Sequence, residues 1–178
     1  MTRWLLVVLI FAALIRIFYQ EGILSYGGSF HNGSDSGKYL IIAETIVDTG
    51  QFGRALVHGV QPEVNRMPIY PYFLAGIFNL FGKGNLLAVA RIQIIVDLIT
   101  IIGITLAAVA IDKRIALITA VVAAVIPNFL VHTSYVLTEN LFLCFFVWGM
   151  CAVMWSIRGL HVFWLLFGAG VLFSLALY

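Results

Sequence analysis

The stretch LLAVARIQIIVDLITIIGITLAAVAI, Leu86–Ile111, decides the fold class. Its 26 residues carry only two charges, Arg91 and Asp97, and as a helix it is longer than the ~20 residues that cross a ~30 Å hydrocarbon core. Similar apolar runs flank it: Trp4–Tyr19, Ile115 to about Val131 with Pro127 near its end, Asn140–Ile157 and His161–Tyr178. Pro68–Phe81 is shorter, ~21 Å as a helix, and begins with Pro68 and Pro71, which suits a half-span or an interfacial helix. Composition agrees. Of 178 residues, 62% are apolar and 10% charged, against ~25% charged in a soluble domain, and the mean hydropathy is +1.06. A water-soluble globule, a disordered chain and a collagen-like chain are excluded. Two cysteines, Cys144 and Cys151, lie within one apolar run and read as packing residues rather than as a disulfide or zinc framework. A net charge of +2 leaves no nucleic-acid footprint. The expectation is an all-α polytopic membrane helix bundle of about five full spans and one partial span. It forms a single transmembrane domain over residues 1–178, with 20–66 as an extracytoplasmic loop carrying an amphipathic interfacial helix.

The first run is read as a span and not as a cleaved signal peptide, because Gln20, Glu21 and Gly22 follow it in place of a small-residue cleavage pattern. Arg16, near its far end, is expected to snorkel. The positive-inside rule puts Arg3, Lys113, Arg114 and Arg158 in the cytoplasm and Lys38 and Lys83 outside, provided Pro68–Phe81 does not fully cross. A full crossing there would place Lys113 and Arg114 outside.

Eight of the eighteen acidic and basic residues (Glu21, Asp35, Lys38, Glu44, Asp48, Arg54, Glu63 and Arg66) fall between Gln20 and Met67. Any chemistry belongs there. Tyr39, Ile42, Ala43, Ile46 and Val47 recur at helical spacing, with Lys38, Glu44, Thr45 and Asp48 on the other face. This predicts an amphipathic helix at the membrane surface, N-capped by Gly33-Ser34-Asp35 and stopped by Gly50. Gln51–Met67 reads as irregular and delivers Arg66 to the turn before Pro68. Asp35 is either the cap alone or also a carboxylate able to take a proton from a nucleophile. Arg66 is an interface anchor or a phosphate clamp. Glu139, in Leu137-Thr138-Glu139-Asn140, starts the next helix or faces the same outer cavity. Asp97 lies deep in an apolar run and calls for a polar partner, with Gln93, Arg16 or Arg91 as candidates. His31, His58, His132 and His161 have no metal-type spacing, and no GxxxxGK[ST], GxGxxG or GxSxG motif occurs.

The order of these features resembles a known superfamily. The segments that carry the resemblance are Asp35-Ser36-Gly37-Lys38-Tyr39 with Ala43 after it, Gly50-Gln51-Phe52, Arg66-Met67-Pro68-Ile69-Tyr70-Pro71-Tyr72-Phe73-Leu74, Ala90-Arg91-Ile92-Gln93 and Thr138-Glu139-Asn140-Leu141-Phe142. In that order they resemble the GT-C superfamily of polyprenyl-phosphate-sugar-dependent glycosyltransferases, nearest to its protein O-mannosyltransferase and aminoarabinose-transferase-like branch. The resemblance implies inverting transfer of a sugar from a polyprenyl-phosphate donor to a lipid, glycan or protein acceptor on the extracytoplasmic face of the plasma (inner) membrane. It implies Asp35 as the catalytic base, Arg66 on the donor phosphate, and Lys38, Tyr39 and Glu139 as supporting residues of the outer cavity. It leaves a divalent metal at Asp35 and Glu139 open. Many members have a second acid where this chain has Ser36, and complete members carry further spans, so 1–178 is expected to be an N-terminal half, inactive where later helices complete the donor groove. The alternative is a small non-enzymatic polytopic protein, a scaffold or transporter-like subunit, with the weight on Asp97.

Overall fold

The apolar runs become helices because they offer few side-chain competitors for the backbone hydrogen bonds, which lipid leaves no choice but to close internally. The computed structural model describes residues 2–30, 33–57, 59–159 and 161–177. In these the chain runs α1 (Thr2–Ser25), α2 (Gly33–Thr49), β1 (Gly53–Leu56), β2 (Gly59–Pro62), α3 (Ile69–Phe81), α4 (Leu86–Ile111), α5 (Ala116–Val125), α6 (Pro127–Ser134), α7 (Glu139–Ile157) and α8 (Val162–Leu177). It is a polytopic helical membrane bundle. Three helices, α1, α4 and α7, are long and apolar enough to cross, and α5 with α6 makes a fourth if the pair is one span bent by 54°. Pro127 has no N–H to continue the ladder of α5, and Ile126 before it is extended at ψ 121°. Helix α8 has 16 described residues, short of a full span by length, so the expected count of five does not follow from helix length alone. His31 and His58 lie outside the described residues.

The first expected boundary shifts. Helix α1 runs on through Gln20 and Glu21 to Ser25, so the loop begins there and not at residue 20. The cause is pairing: the buried Gln20 Nε2 donates to the Ala90 and Thr133 carbonyls, both at 3.0 Å. Arg91 donates to Gln20 Oε1 at 3.2 Å and pairs with Glu21. Arg16 does not snorkel. It is fully buried, with Nε donating to Asp97 Oδ2 at 2.6 Å. Its Nη1 donates to the carbonyls of Ala12 (3.0 Å) and of Ala124 (2.9 Å), the latter in the last turn of α5, where helix carbonyls lack a partner. The expected polar partner of Asp97 is therefore Arg16, while Gln93 and Arg91 are engaged elsewhere.

The loop is not all irregular. β1 and β2 form an antiparallel hairpin with Gly53 opposite Pro62 and Leu56 opposite Gly59. A Cβ on Gly53 would stand 2.3 Å from the Gln61 carbonyl oxygen, so only glycine fits that crossing. Thr45 of α2 anchors β1 by accepting from the Ala55 N–H at 3.1 Å, and Arg54 binds Glu63 across the hairpin at 2.5 Å. The amphipathic helix α2 is present and stops at Gly50, whose φ is +71° and whose N–H reaches the Ile46 carbonyl at 2.8 Å. Its apolar stripe, however, packs on protein. Tyr39 and Ala43 join Tyr70, Leu74, Ala75, Ile77 and Phe78 of α3 in one core, with Ile46 and Val47 against it. Asp35 lies within the first turn of α2 and not ahead of it as a cap.

Two ion pairs fix how α3 lies. Arg66, just before it, meets Asp35 at the start of α2, and Lys83, just after it, meets Asp48 near the end of α2 at 2.5 Å. Helices α2 and α3 therefore run side by side in the same direction, and the hairpin makes the return stroke. With both its ends held to α2, α3 brings Lys83 back to the same end of the bundle as Glu21 and Arg91. At the opposite end Arg158 Nη2 donates to the Ile111 carbonyl at 2.9 Å, beside Asp112-Lys113-Arg114.

Candidate functional site

Asp35 and Arg66 stand far apart in sequence and meet at 2.6 Å, Arg66 Nη2 on Asp35 Oδ1. Lys38, one turn on in α2, approaches the same carboxylate oxygen to 3.5 Å. Arg66 Nη1 donates to the Tyr39 hydroxyl at 3.3 Å, and its guanidinium carbon lies 5.2 Å from the Tyr39 ring centroid. Four of the five residues singled out from sequence thus form one cluster, on the first turns of α2 and on the turn before α3. The cluster faces water: the Asp35 side chain is 53% exposed and that of Arg66 22%.

Glu139, the fifth, reaches the cluster through Tyr39. Tyr39 and Glu139 both line a cleft of about 210 Å³, together with Met67, Tyr70 and Thr138 and the apolar Leu141, Phe142, Phe145, Leu175 and Ala176. Glu139 opens α7 and lines the cleft, whereas Asp35, Lys38 and Arg66 are not among the residues that line it. The segment carrying it is tied to the first loop by Val136, whose N–H donates to the Phe30 carbonyl (3.1 Å) and whose carbonyl accepts from Ser36 (2.9 Å). Ser36 is fully buried, so a second carboxylate at that position would be placed in the core and not in the site.

Beside the cleft stands Gln93, which the sequence offers as a neighbour of Asp97 and within the Ala90-Arg91-Ile92-Gln93 segment of the resemblance. Its Oε1 accepts from the Tyr70 hydroxyl at 2.8 Å, its Nε2 donates to the carbonyls of Thr133 (3.1 Å) and Tyr135 (2.9 Å), and its own carbonyl accepts from Asn140 at 2.8 Å. The Tyr70 ring meets Tyr39 edge-on at 5.2 Å. Gln93, Asn140 and Tyr70 therefore support the cleft, and the signal that could have found them is a lone amide in each of two apolar runs. Cys144 and Cys151 are buried free thiols within α7, and the buried His132 Nδ1 has no partner.

The electrostatics follow from the contacts. The Arg66 hydrogen bond and then its charge hold the Asp35 carboxyl below the usual range, with Lys38 adding to this. Arg66 is pushed up, first by its bond to Tyr39 and then by Asp35. At neutral pH the pair is fully charged. These residues do not fit a divalent cation: Asp35 already faces two cations, and the described residues contain no group of three or more His, Cys, Asp or Glu side chains placed to hold one.

A carboxylate ion-paired to an arginine stands at one end of a membrane bundle, beside a cleft with both polar and apolar lining. Residues 61–178 match the family described as dolichyl-phosphate-mannose-protein mannosyltransferase, and the chain belongs to that family, of the GT-C glycosyltransferase type. Arg66, Thr138 and Glu139 fall inside the matched segment, and Asp35, Lys38 and Tyr39 precede it. No curated protein and no solved structure matches the chain.

Proposed function

We propose that this protein transfers a sugar from a polyprenyl-phosphate donor to a hydroxyl acceptor, with inversion, on the outer face of the plasma membrane. The observation that carries this reading is the meeting of Asp35 and Arg66 beside the Glu139 cleft. In the reaction the acceptor oxygen attacks the anomeric carbon, the bond from that carbon to the phosphate oxygen breaks, and the phosphate leaves with the electron pair. Asp35 takes the acceptor proton as the new bond forms. Arg66 meets the growing charge on the phosphate with its planar fork of donors. Lys38 and Tyr39 contact those two groups, Glu139 faces the sugar from the cleft, and the apolar residues that line the cleft take the first units of the lipid.

Arg66→Ala should raise the donor KM and lower kcat together, because the phosphate is charged in the ground state and gains charge in the transition state. Transfer assayed from a polyprenyl-phosphate sugar with the intact membrane protein checks this. An unchanged KM would remove Arg66 from the donor phosphate.

In this reading the Glu21, Lys38 and Lys83 end of the bundle lies outside and the Lys113 and Arg158 end in the cytoplasm, with α8 as a fifth crossing and α3 as a partial one. Support comes from the short span-flanking segments with Arg3, Lys113, Arg114 and Arg158, which share the end opposite the site. Cysteines introduced at Lys38 and Lys83 should react with an impermeant reagent added outside, and cysteines at Lys113 and Arg158 should not. Labelling of positions 38 and 113 from one side would overturn the topology.

A further inference from the structure

Arg66 cannot serve Asp35 and a phosphate independently. Asp35 Oδ1 sits on Nη2, the nitrogen common to both bidentate faces of a guanidinium, the end-on pair with Nη1 and the side-on pair with Nε. The other end-on nitrogen, Nη1, is already given to the Tyr39 hydroxyl. A phosphate gripped through two parallel N–H bonds therefore arrives at the nitrogen that the carboxylate occupies, and the two anions meet at like-charge distance. A second cation is in place for the carboxylate, since Lys38 Nζ stands 3.5 Å from the same Oδ1 on the α2 side. Asp35 is half exposed, Lys38 is 39% exposed, and neither is tied into the core.

We propose that Asp35 and the donor phosphate compete for Arg66: the free protein keeps its carboxylate bound to the arginine, and an arriving phosphate displaces it onto Lys38. The inference rests on the reading above and adds an order of events to it. Before the donor binds, Asp35 is committed to Arg66 and is a poor proton acceptor. Once phosphate has taken the guanidinium, the carboxylate keeps only the weaker lysine contact and is free to accept a proton from the acceptor hydroxyl. The donor thus binds first, and an acceptor or water that enters an empty site meets no available base.

The test is a binding measurement without turnover. The probe is a long-chain polyprenyl monophosphate titrated in detergent micelles into the intact protein, the Asp35→Asn and Asp35→Ala variants, Arg66→Ala, and the Asp35→Asn/Arg66→Ala double variant. Removing the competing charge should tighten phosphate binding about fivefold in both Asp35 variants, the size of a like-charge contact at a wet surface. Arg66→Ala should weaken it, and the gain from Asp35→Asn should vanish in the Arg66→Ala background. Equal or weaker binding by both Asp35 variants, with Arg66→Ala still weakening, would overturn the competition and leave Arg66 as the phosphate ligand. A gain that persists without Arg66 would also overturn it. Binding by the unchanged protein that is indifferent to Arg66→Ala would remove the phosphate assignment itself, and the competition with it.

Discussion

Asp35→Asn should lower the turnover of sugar transfer by about 10²–10⁴-fold, the range for loss of a positioned general base, while the protein folds and still binds its donor. Asparagine keeps the shape of the side chain and its oxygen can still accept from Arg66, but it cannot take the acceptor proton. Because Asp35 is half exposed and lies in the first turn of α2, the substitution removes no core contact. Stability should change little at neutral pH. What stability the ionised carboxyl contributes is present above its unfolded pKa and fades as pH falls through the lower folded value, so any loss in Asp35→Asn shrinks toward acid. Transfer assays on the protein in proteoliposomes, with donor binding measured alongside, separate the roles. Near-normal turnover by Asp35→Asn would return the residue to a partner of Arg66 and of the helix terminus.

The largest stability effect should come from Asp97→Leu. It strands Arg16, fully buried and unable to shed its charge, among α1, α4 and α5. Breaking a buried pair from one side costs about 3–5 kcal/mol. Arg16→Leu should cost less, because a lone carboxyl can be neutralised by a proton. The double variant Arg16→Met/Asp97→Leu should recover most of the loss. It should stop short of full recovery because the Ala124 carbonyl then loses its donor, a cost of about 1–3 kcal/mol. Thermal unfolding of the purified protein in detergent reads the series. Equal loss in the double variant and in Asp97→Leu would show that the two residues do not act as a pair.

What sequence could show follows from which interactions are local. The runs that become α1, α4 and α7 announce themselves by length and apolarity, and the bend at Pro127 by a missing N–H. The depth of Asp97 demanded a partner, and Arg16 was one of the candidates, because a carboxylate in hydrocarbon has few affordable neighbours. The hairpin was hidden because its strands have four residues each, with glycine at Gly53 and Gly59 and no apolar alternation. The stripe of α2 was legible, but not its destination, since a membrane surface and an apolar helix such as α3 ask for the same pattern. Of the site, residue types offered Asp35 and Arg66 with two readings each, and the resemblance chose between them. Their meeting depends on α2 and α3 lying in the same direction, which no spacing encodes. Gln93 was one of three candidate partners for Asp97; one turn away from it, Gln93 faces Tyr70 and the end of α6 instead.

The Arg16–Asp97 pair has a further consequence for how the chain is made. Each charge adds about 2.5–3.5 kcal/mol to the insertion of its own helix at mid-membrane depth. The two residues are 81 positions apart, so α1 emerges from the ribosome well before α4 can relieve it. The arrival of α4 therefore offsets the cost that Arg16 adds to α1, and the pair joins the two helices within the bundle. The segment between them, which carries α2, the hairpin and α3, is then already a closed loop with joined ends. Its folding on the membrane surface starts from a circle and not from a free tail.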